Sequence, residues 1–234
     1  MKKLLIALLL CTSTFLTGCL YPTGELSQNQ VAYEDQIIGV QNAVDQFQDA
    51  EAGLLPIKTK DNDTPIFLKY PIDFNKVVPR FLSAAPGNAF EQGGVFQYVL
   101  IHVEEDPTVK ILDVRIAEKI REIKIRIQTT GYPPFKENIS GNVYTLDFKE
   151  LGYEEDPFVV SPYTQNNLPF VIDGTGEIYV DYSSDLYLKL QEEVKDVRQG
   201  EDIRSILYED SYFVPAFSLP YTINENNEPV FLIQ

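Results

Sequence analysis

The chain has 234 residues, and its 35 aspartates and glutamates against 19 lysines and arginines give a formal charge of −16 at pH 7. Such an acidic surface repels nucleic acid and anionic membrane faces, so neither is an expected partner of the surface itself. A single histidine and two cysteines are too few ligands for a histidine-rich or cysteine-based metal cluster.

The first residues have the pattern of an export signal. Lys2 and Lys3 give a positively charged start, and the apolar run 4–10 is too short to span a hydrocarbon core of about 30 Å. The run leads into Leu16-Thr17-Gly18-Cys19. A leucine and two small residues before a cysteine resemble the lipobox that the lipoprotein signal peptidase recognises.

This resemblance implies that residues 1–18 are a signal peptide, cleaved between Gly18 and Cys19, and that Cys19 carries a thioether-linked diacylglycerol with palmitate-type chains. Each buried methylene contributes about 0.8 kcal/mol, so two or three acyl chains hold a protein stably on a membrane. The alternative is an ordinary buried thiol at Cys19, which would make the match to the signal pattern accidental. We therefore expect a lipoprotein on the extracytoplasmic face of the cell membrane.

Residues 19–32 predict a polar, flexible tether with a typical span of roughly 20 Å. Beyond the tether, apolar residues recur at helical spacing and the predicted helix ends at Gly53, three residues before Pro56. The apolar face of this helix consists of Ile37, Val40, Val44 and Phe47.

The same order of signals returns downstream, which indicates an internal repeat. A second predicted helix ends with the same glycine-to-proline spacing, at Gly131 and Pro134. Its apolar face consists of Ile116, Ile120, Ile123 and Ile127. Each stop is followed by a similar pentad, Asp73 to Val77 and Asp147 to Leu151, and then by a proline-containing loop.

Each copy closes on a predicted hairpin of aromatic strands. The first hairpin is expected over 90–98 across Gly93-Gly94, and the second over 170–182 across 173–176. In the tail, residues 186–197 predict an amphipathic helix and residues 221–233 predict a further hairpin with its turn at 224–227.

We interpret the chain as α+β, with two tandem units, each a helix on an antiparallel meander, and a shortened third. The expected boundaries are 33–107 for the first unit, 108–183 for the second and 184–234 for the C-terminal helix and hairpin. Chance similarity between the two long stretches is the alternative, and the shared pentad and helix stop argue against it.

The residues that could carry chemistry are few. His102 follows an apolar run that is typical of a strand, so we expect a histidine at a sheet edge rather than a catalytic base. The tetrapeptide Glu-Glu-Asp-Pro occurs twice, at 104–107 and 154–157. Its acids could offer oxygens to calcium, but calcium loops alternate their ligands along a tight turn, so solvated acidic turns are expected. No catalytic or cofactor motif is present.

Three stretches of the chain, 40–48, 53–59 and 86–98, resemble the YphF-type lipoproteins of Bacillus-like Gram-positive bacteria, an uncharacterised family. The likeness extends over the whole chain. It implies a lipoprotein and brings no catalytic, cofactor or metal-binding residues with it.

The expected function is therefore that of a membrane-anchored, extracytoplasmic lipoprotein. Its folded part is expected to be a non-catalytic interaction or binding module of the cell envelope, with an envelope protein as a possible partner and no cofactor. One alternative is a solute-binding lipoprotein of a transporter, which would need a groove between the units. Another is a carboxylate-based wall hydrolase, because paired acids are the only catalytic groups that the composition supplies in number.

Overall fold

The computed structural model describes residue 32 and residues 34–192 and 197–232. The expected signal peptide 1–18, the cleavage site between Gly18 and Cys19, the lipidation site itself and the tether up to residue 31 lie outside the described residues. The described part is α+β, as the sequence predicts. No helix in it is long and apolar enough to cross a membrane.

The first unit packs one long helix on a small sheet. Helix α1 (Glu34–Ala50) buries the face that the sequence predicts: Ile37, Val40, Val44 and Phe47, together with Ala43. The short helices α2 (Ile66–Lys69) and α3 (Phe74–Val77) and a 3₁₀ turn (Phe90–Gln92) follow. Strands β1 (Phe96–Ile101) and β2 (Thr108–Asp113) form an antiparallel hairpin, to which bridges from Pro71 to Val99 and from Ile57 to Ile72 add two further segments.

The hairpin predicted across Gly93-Gly94 is wrong. Gly93, with φ of 82°, ends the 3₁₀ turn instead, and Gly94 lies so close to the Asn88 backbone that a Cβ there would come within 2.1 Å of it. The glycine pair thus serves a close backbone approach, and β1 pairs forward with β2 across the turn 102–107. Because β2 contributes Val109 and Ile111 to the first core, the first unit extends to Asp113, beyond the boundary expected after residue 107.

The second unit begins with helix α4 (Arg115–Thr130), which buries Ile116, Ile120 and Ile123 and partly buries Ile127. Its strands are β3 (Phe135–Ser140), β4 (Val143–Leu146), β5 (Phe158–Val160), β6 (Asn167–Asp173) and β7 (Ile178–Val180). All pairings are antiparallel: β3 pairs with β4, and β6 pairs with β4, β5 and β7. The predicted hairpin across 173–176 is confirmed as β6 and β7.

The third unit consists of α5 (Ser183–Glu192), the short helix α6 (Ser205–Tyr208) and the hairpin of β8 (Tyr221–Ile223) and β9 (Pro229–Phe231). Helix α5 begins three residues before the predicted start at 186, and the tail hairpin has its turn where the sequence predicts it. The third unit has no counterpart of β3 and β4 among the described residues, so it is shorter than the other two. Its Ile203, Ile206 and Phe231 share one core with the second unit.

The pentads form the same turn in the first two units. The Asp73 and Asp147 carboxylates accept hydrogen bonds from the backbone N–H two residues on, at 3.2 and 3.1 Å. The backbone N–H of each aspartate donates to the proline of the preceding helix stop, Pro56 O at 2.7 Å and Pro134 O at 2.9 Å. Phe74 and Phe148 are 6% and 3% exposed, so they occupy equivalent buried sites, as duplication predicts.

The third unit carries the same turn, which the sequence analysis did not identify. Asp202 accepts from the Arg204 N–H at 3.1 Å, and Ile203 and Ile206 take the buried places. Its hairpin also matches that of the second unit, because Asp173 and Asn224 each accept from the N–H of a glutamate four residues on, at 3.0 and 2.9 Å. The three units are therefore variants of one local plan.

Residues 208–217, which we call the strap, join the first and second units. On one side, Ile111 N–H donates to Tyr212 O at 2.8 Å, and Val214 N–H donates to Ile111 O at 3.1 Å. On the other side, Val180 N–H donates to Phe217 O at 2.9 Å. The strap therefore lies along the outer edge of β2, bonds to the outer edge of β7, and links the two sheets.

Candidate functional site

The structure contains a groove of about 360 Å³ where the first unit, the second unit and the strap meet. We call it the inter-unit groove. Its walls are mainly apolar: Phe96 from β1, Ile116 from α4, Val160 from β5, and Phe213 from the strap. Residue 32, where the chain arrives from the expected tether, also lines it. The site thus lies beside the start of the folded part.

Tyr182 forms the rigid base of the inter-unit groove. Its hydroxyl donates to Ala216 O in the strap at 3.1 Å, and its backbone N–H donates to the Tyr221 hydroxyl oxygen at 2.9 Å. Burial, with the nearby Asp185 and Asp113 charges, raises the pKa of Tyr182 far above its ordinary value. The hydroxyl hydrogen bond thus joins the base of the groove to the strap.

A fully buried carboxyl group holds the loop on one wall. Asp185, in α5, accepts hydrogen bonds from the Ser161 hydroxyl at 2.7 Å and the Thr164 hydroxyl at 2.5 Å. Ser161 Oγ in turn accepts from the backbone N–H of Tyr163 and of Thr164. Burial raises the pKa of Asp185, an effect that the two hydroxyl donors partly oppose and that the Asp181 charge reinforces. These hydrogen bonds attach loop 161–166 to helix α5.

The polar side chains of the groove are few and well placed. Arg115 and Asp113 form an ion pair in which Arg115 Nε donates to both Asp113 carboxylate oxygens, at 2.9 and 3.0 Å. Gln165 also lines the groove, and its Nε2 donates to Ser161 O at 3.1 Å. Apolar walls with a small number of fixed polar groups are typical of binding sites rather than of solvent-filled surface clefts.

The residues that the sequence analysis considered for chemistry lie away from this groove. His102 is exposed and has φ of 50°, so it begins the β1–β2 turn rather than extending the strand. The carboxylates of the first tetrapeptide lie in that same turn, and those of the second immediately precede β5. In the described part of the chain, no three His, Cys, Asp or Glu side chains are placed to hold a metal ion.

Asp181 and Asp185 are neighbouring acids, and the Asp181 charge acts on Asp185. Both are occupied by the protein itself: Asp181 accepts from the Tyr221 hydroxyl and the Ser183 N–H, both at 2.8 Å. Asp185 is fully buried. Neither carboxylate is presented to a sugar, as a glycosidase pair must be.

The first unit matches a known family model. Residues 33–113 match the YphF family N-terminal domain. The matched range ends at the last residue of β2, so it coincides with the first unit as the structure defines it rather than with the boundary expected after residue 107. The match supports the YphF resemblance for this unit. No curated protein and no solved structure matches the chain.

The residues of the groove could not be identified from the sequence because they lie far from one another in the chain. Phe96, Val160, Tyr182 and Phe213 come from four different elements, and each looks like an ordinary strand or core residue. One signal was available: Leu168-Pro169-Phe170 and Leu219-Pro220-Tyr221 share a Leu-Pro-aromatic motif followed at the same distance by the turn residue. That motif identifies the third hairpin as a repeat and the segment before it as a connection between units.

Proposed function

We propose that the protein is a lipoprotein held by Cys19 on the extracytoplasmic face of the cell membrane, with a non-catalytic binding module as its folded part. The observation that supports the binding role is the inter-unit groove, which lies where the first unit, the second unit and the strap meet. The lipobox spacing at Cys19 supports the anchor. The occupant that we propose is a protein of the cell envelope.

Because residue 32 lies on the groove wall, the tether length limits how far the groove can be from the membrane. A coil from Cys19 to this point spans roughly 20 Å. The groove would then stay near the membrane surface and within reach of other anchored proteins. Tethering raises the effective concentration of such partners without adding any contact.

Site-specific photo-crosslinking in cells tests the proposal. A photoreactive amino acid replaces Val160, which lines the groove and is 54% exposed, and in a control it replaces Ile125, which is 52% exposed on α4. We expect one envelope protein to be crosslinked from position 160 and not from position 125. Equal products at both positions, or none at 160, would contradict a binding role for the groove.

A solute-binding lipoprotein of a transporter is the second candidate, favoured by the groove volume, which lies within the range of small-ligand pockets. Thermal-shift measurements against sugars, amino acids and short peptides separate the two. A ligand at a hundred times its Kd stabilises by about 2.7 kcal/mol. Stabilisation by one solute that is lost in Gln165→Ala would favour the transporter role over a protein partner.

A further inference from the structure

Strand β5 has a free edge next to the inter-unit groove. Within the described residues it pairs with β6 alone, with Phe158 opposite Pro169 and Val160 opposite Asn167. The Ser161 N–H donates to Asn166 O at 2.8 Å, so the Val159↔Leu168 pair is the next hydrogen-bonded pair of the ladder. The N–H and C=O groups of Phe158 and Val160 consequently point away from β6, where an added strand could meet them.

The side chains on this edge are apolar and exposed. Phe158 is 45% exposed, Val160 is 54% exposed, and Val159 between them packs on the core. Proteins usually protect an edge strand with charged residues, bulges or proline. The other exposed edge of this sheet is protected in that way, because β3 carries Lys136 and Glu137 and its ladder has two register shifts. β5 is short, with three residues, and follows Pro157, but it carries no charged residue and no register shift.

The charge beside the edge defines what can approach it. Glu154, Glu155 and Asp156 lie immediately before β5 and are exposed. None of them forms an ion pair in the part of the chain that the structure describes. A segment aligned along β5 would pass these three carboxylates, so a basic segment is attracted and an acidic one is repelled.

We propose that β5 receives an extended segment of a partner protein by strand addition, with basic residues facing Glu154 to Asp156 and an apolar residue beside Val160 entering the inter-unit groove. Backbone hydrogen bonds supply affinity in this recognition mode, and the side-chain pockets supply specificity. The proposal rests on the proposed function and makes it more specific. It gives the second acidic tetrapeptide a role in recognition.

Fluorescence anisotropy of the full chain in detergent micelles tests this proposal with a labelled peptide of alternating valine and threonine followed by three lysines, which antiparallel addition places beside Glu154 to Asp156. We expect saturable binding by this peptide and none by its counterpart with three glutamates. Val160→Pro removes the outward N–H while proline is tolerated on an edge, and should weaken binding by about tenfold or more. Glu154→Lys with Glu155→Lys should weaken it by a similar factor.

Matched controls distinguish strand addition from adhesion to any apolar edge. Phe158→Lys should weaken binding, whereas Phe135→Lys, at an equally exposed phenylalanine of β3, should leave the Kd unchanged. Circular dichroism of each variant shows whether it is folded. If Val160→Pro does not fold, Phe158→Lys is the variant that tests the edge. Hydrogen exchange should slow at the Phe158 and Val160 amides, and not in β3, when the peptide is bound.

The proposal would be overturned if neither peptide bound, or if the lysine and glutamate peptides bound equally well. It would also be overturned if the Phe158 and Phe135 substitutions changed the Kd equally, or if the bound peptide left the β5 amides unprotected from exchange. A partner crosslinked from position 160, combined with unprotected β5 amides, would leave the proposed binding function intact and reject strand addition alone.

Discussion

Asp185 is the residue on which the wall of the inter-unit groove depends. A carboxylate taken fully out of water is costly unless hydrogen bonds compensate, and here two hydroxyl groups supply them. The same hydroxyl of Ser161 orders the backbone of loop 161–166, so burial, loop conformation and groove shape are linked through one side chain.

This burial predicts a pH dependence with a definite sign. Because the folded-state pKa of Asp185 is raised above its ordinary 3.8, the folded state binds more protons than the unfolded state between the two values. The contribution of Asp185 to the free energy of unfolding therefore falls as pH rises through that window. Asp185→Asn should remove this fall, measured by urea unfolding followed by circular dichroism at several pH values.

Asp173→Asn is the matched control with the opposite sign. Burial would raise the pKa of Asp173, but hydrogen bonds from Thr175, Glu177 and Tyr179 outweigh it and lower the pKa. Its stabilising contribution is therefore lost as pH falls, and Asp173→Asn should lose less stability on acidification than the wild type.

The prediction for Asp185 would be contradicted if the free energy of unfolding of Asp185→Asn depended on pH in parallel with that of the wild type. The Asp185 carboxyl would then titrate alike in the folded and unfolded states.

At the scale of elements, local signals predicted what local physics decides. The two long helices, their glycine stops and the hairpins of the second and third units lie where periodicity and turn chemistry place them. The prediction of the first hairpin was wrong because Gly94 is required by a close approach to the Asn88 backbone. In the sequence, a glycine pair with this tertiary role looks the same as a turn signal. The groove could not be predicted, since its lining combines residues that lie far apart in the chain, from residue 32 to Val214.

The strap depends on a buried lysine of β2. Lys110 is 7% exposed, and its ammonium donates to Tyr208 O and Ser211 O, both at 2.6 Å, at the end of α6. Burial lowers the pKa of Lys110, opposed by the nearby Asp210 and Glu209 charges. The side chain thus binds two carbonyl oxygens at and just after the end of a short helix.

Lys110→Met should therefore loosen the strap. Ser211 O would lose its ammonium donor, and a buried carbonyl group without a donor costs about 1–3 kcal/mol, so the free energy of unfolding should fall by about that amount. Hydrogen exchange should also accelerate at the Val214 amide, which bonds to Ile111 O. Lys119→Met, at an exposed lysine of α4, is the control and should change neither quantity. Unchanged exchange in Lys110→Met would mean that the strap is held by its strand contacts alone.

At the scale of the whole molecule, three variants of one unit share two main cores and a connecting strap. A single unit of this size buries a marginal core, so the units stabilise one another. Their junction creates a groove with apolar walls, a buried tyrosine at its base and a free strand edge at its side. The anchor, proposed at Cys19, would determine where that groove works.

Metabolic labelling with a palmitate analogue, followed by detergent-phase partition, tests the anchored lipoprotein most directly. The wild-type protein should carry the label and enter the detergent phase, and Cys11→Ala, which changes a cysteine before the proposed cleavage site, should behave in the same way. Cys19→Ala should remain unlabelled and retain residues 1–18, because the lipoprotein signal peptidase acts after lipidation. An unlabelled wild-type protein, or equal labelling of Cys19→Ala, would contradict the lipid anchor and the envelope location proposed for the groove.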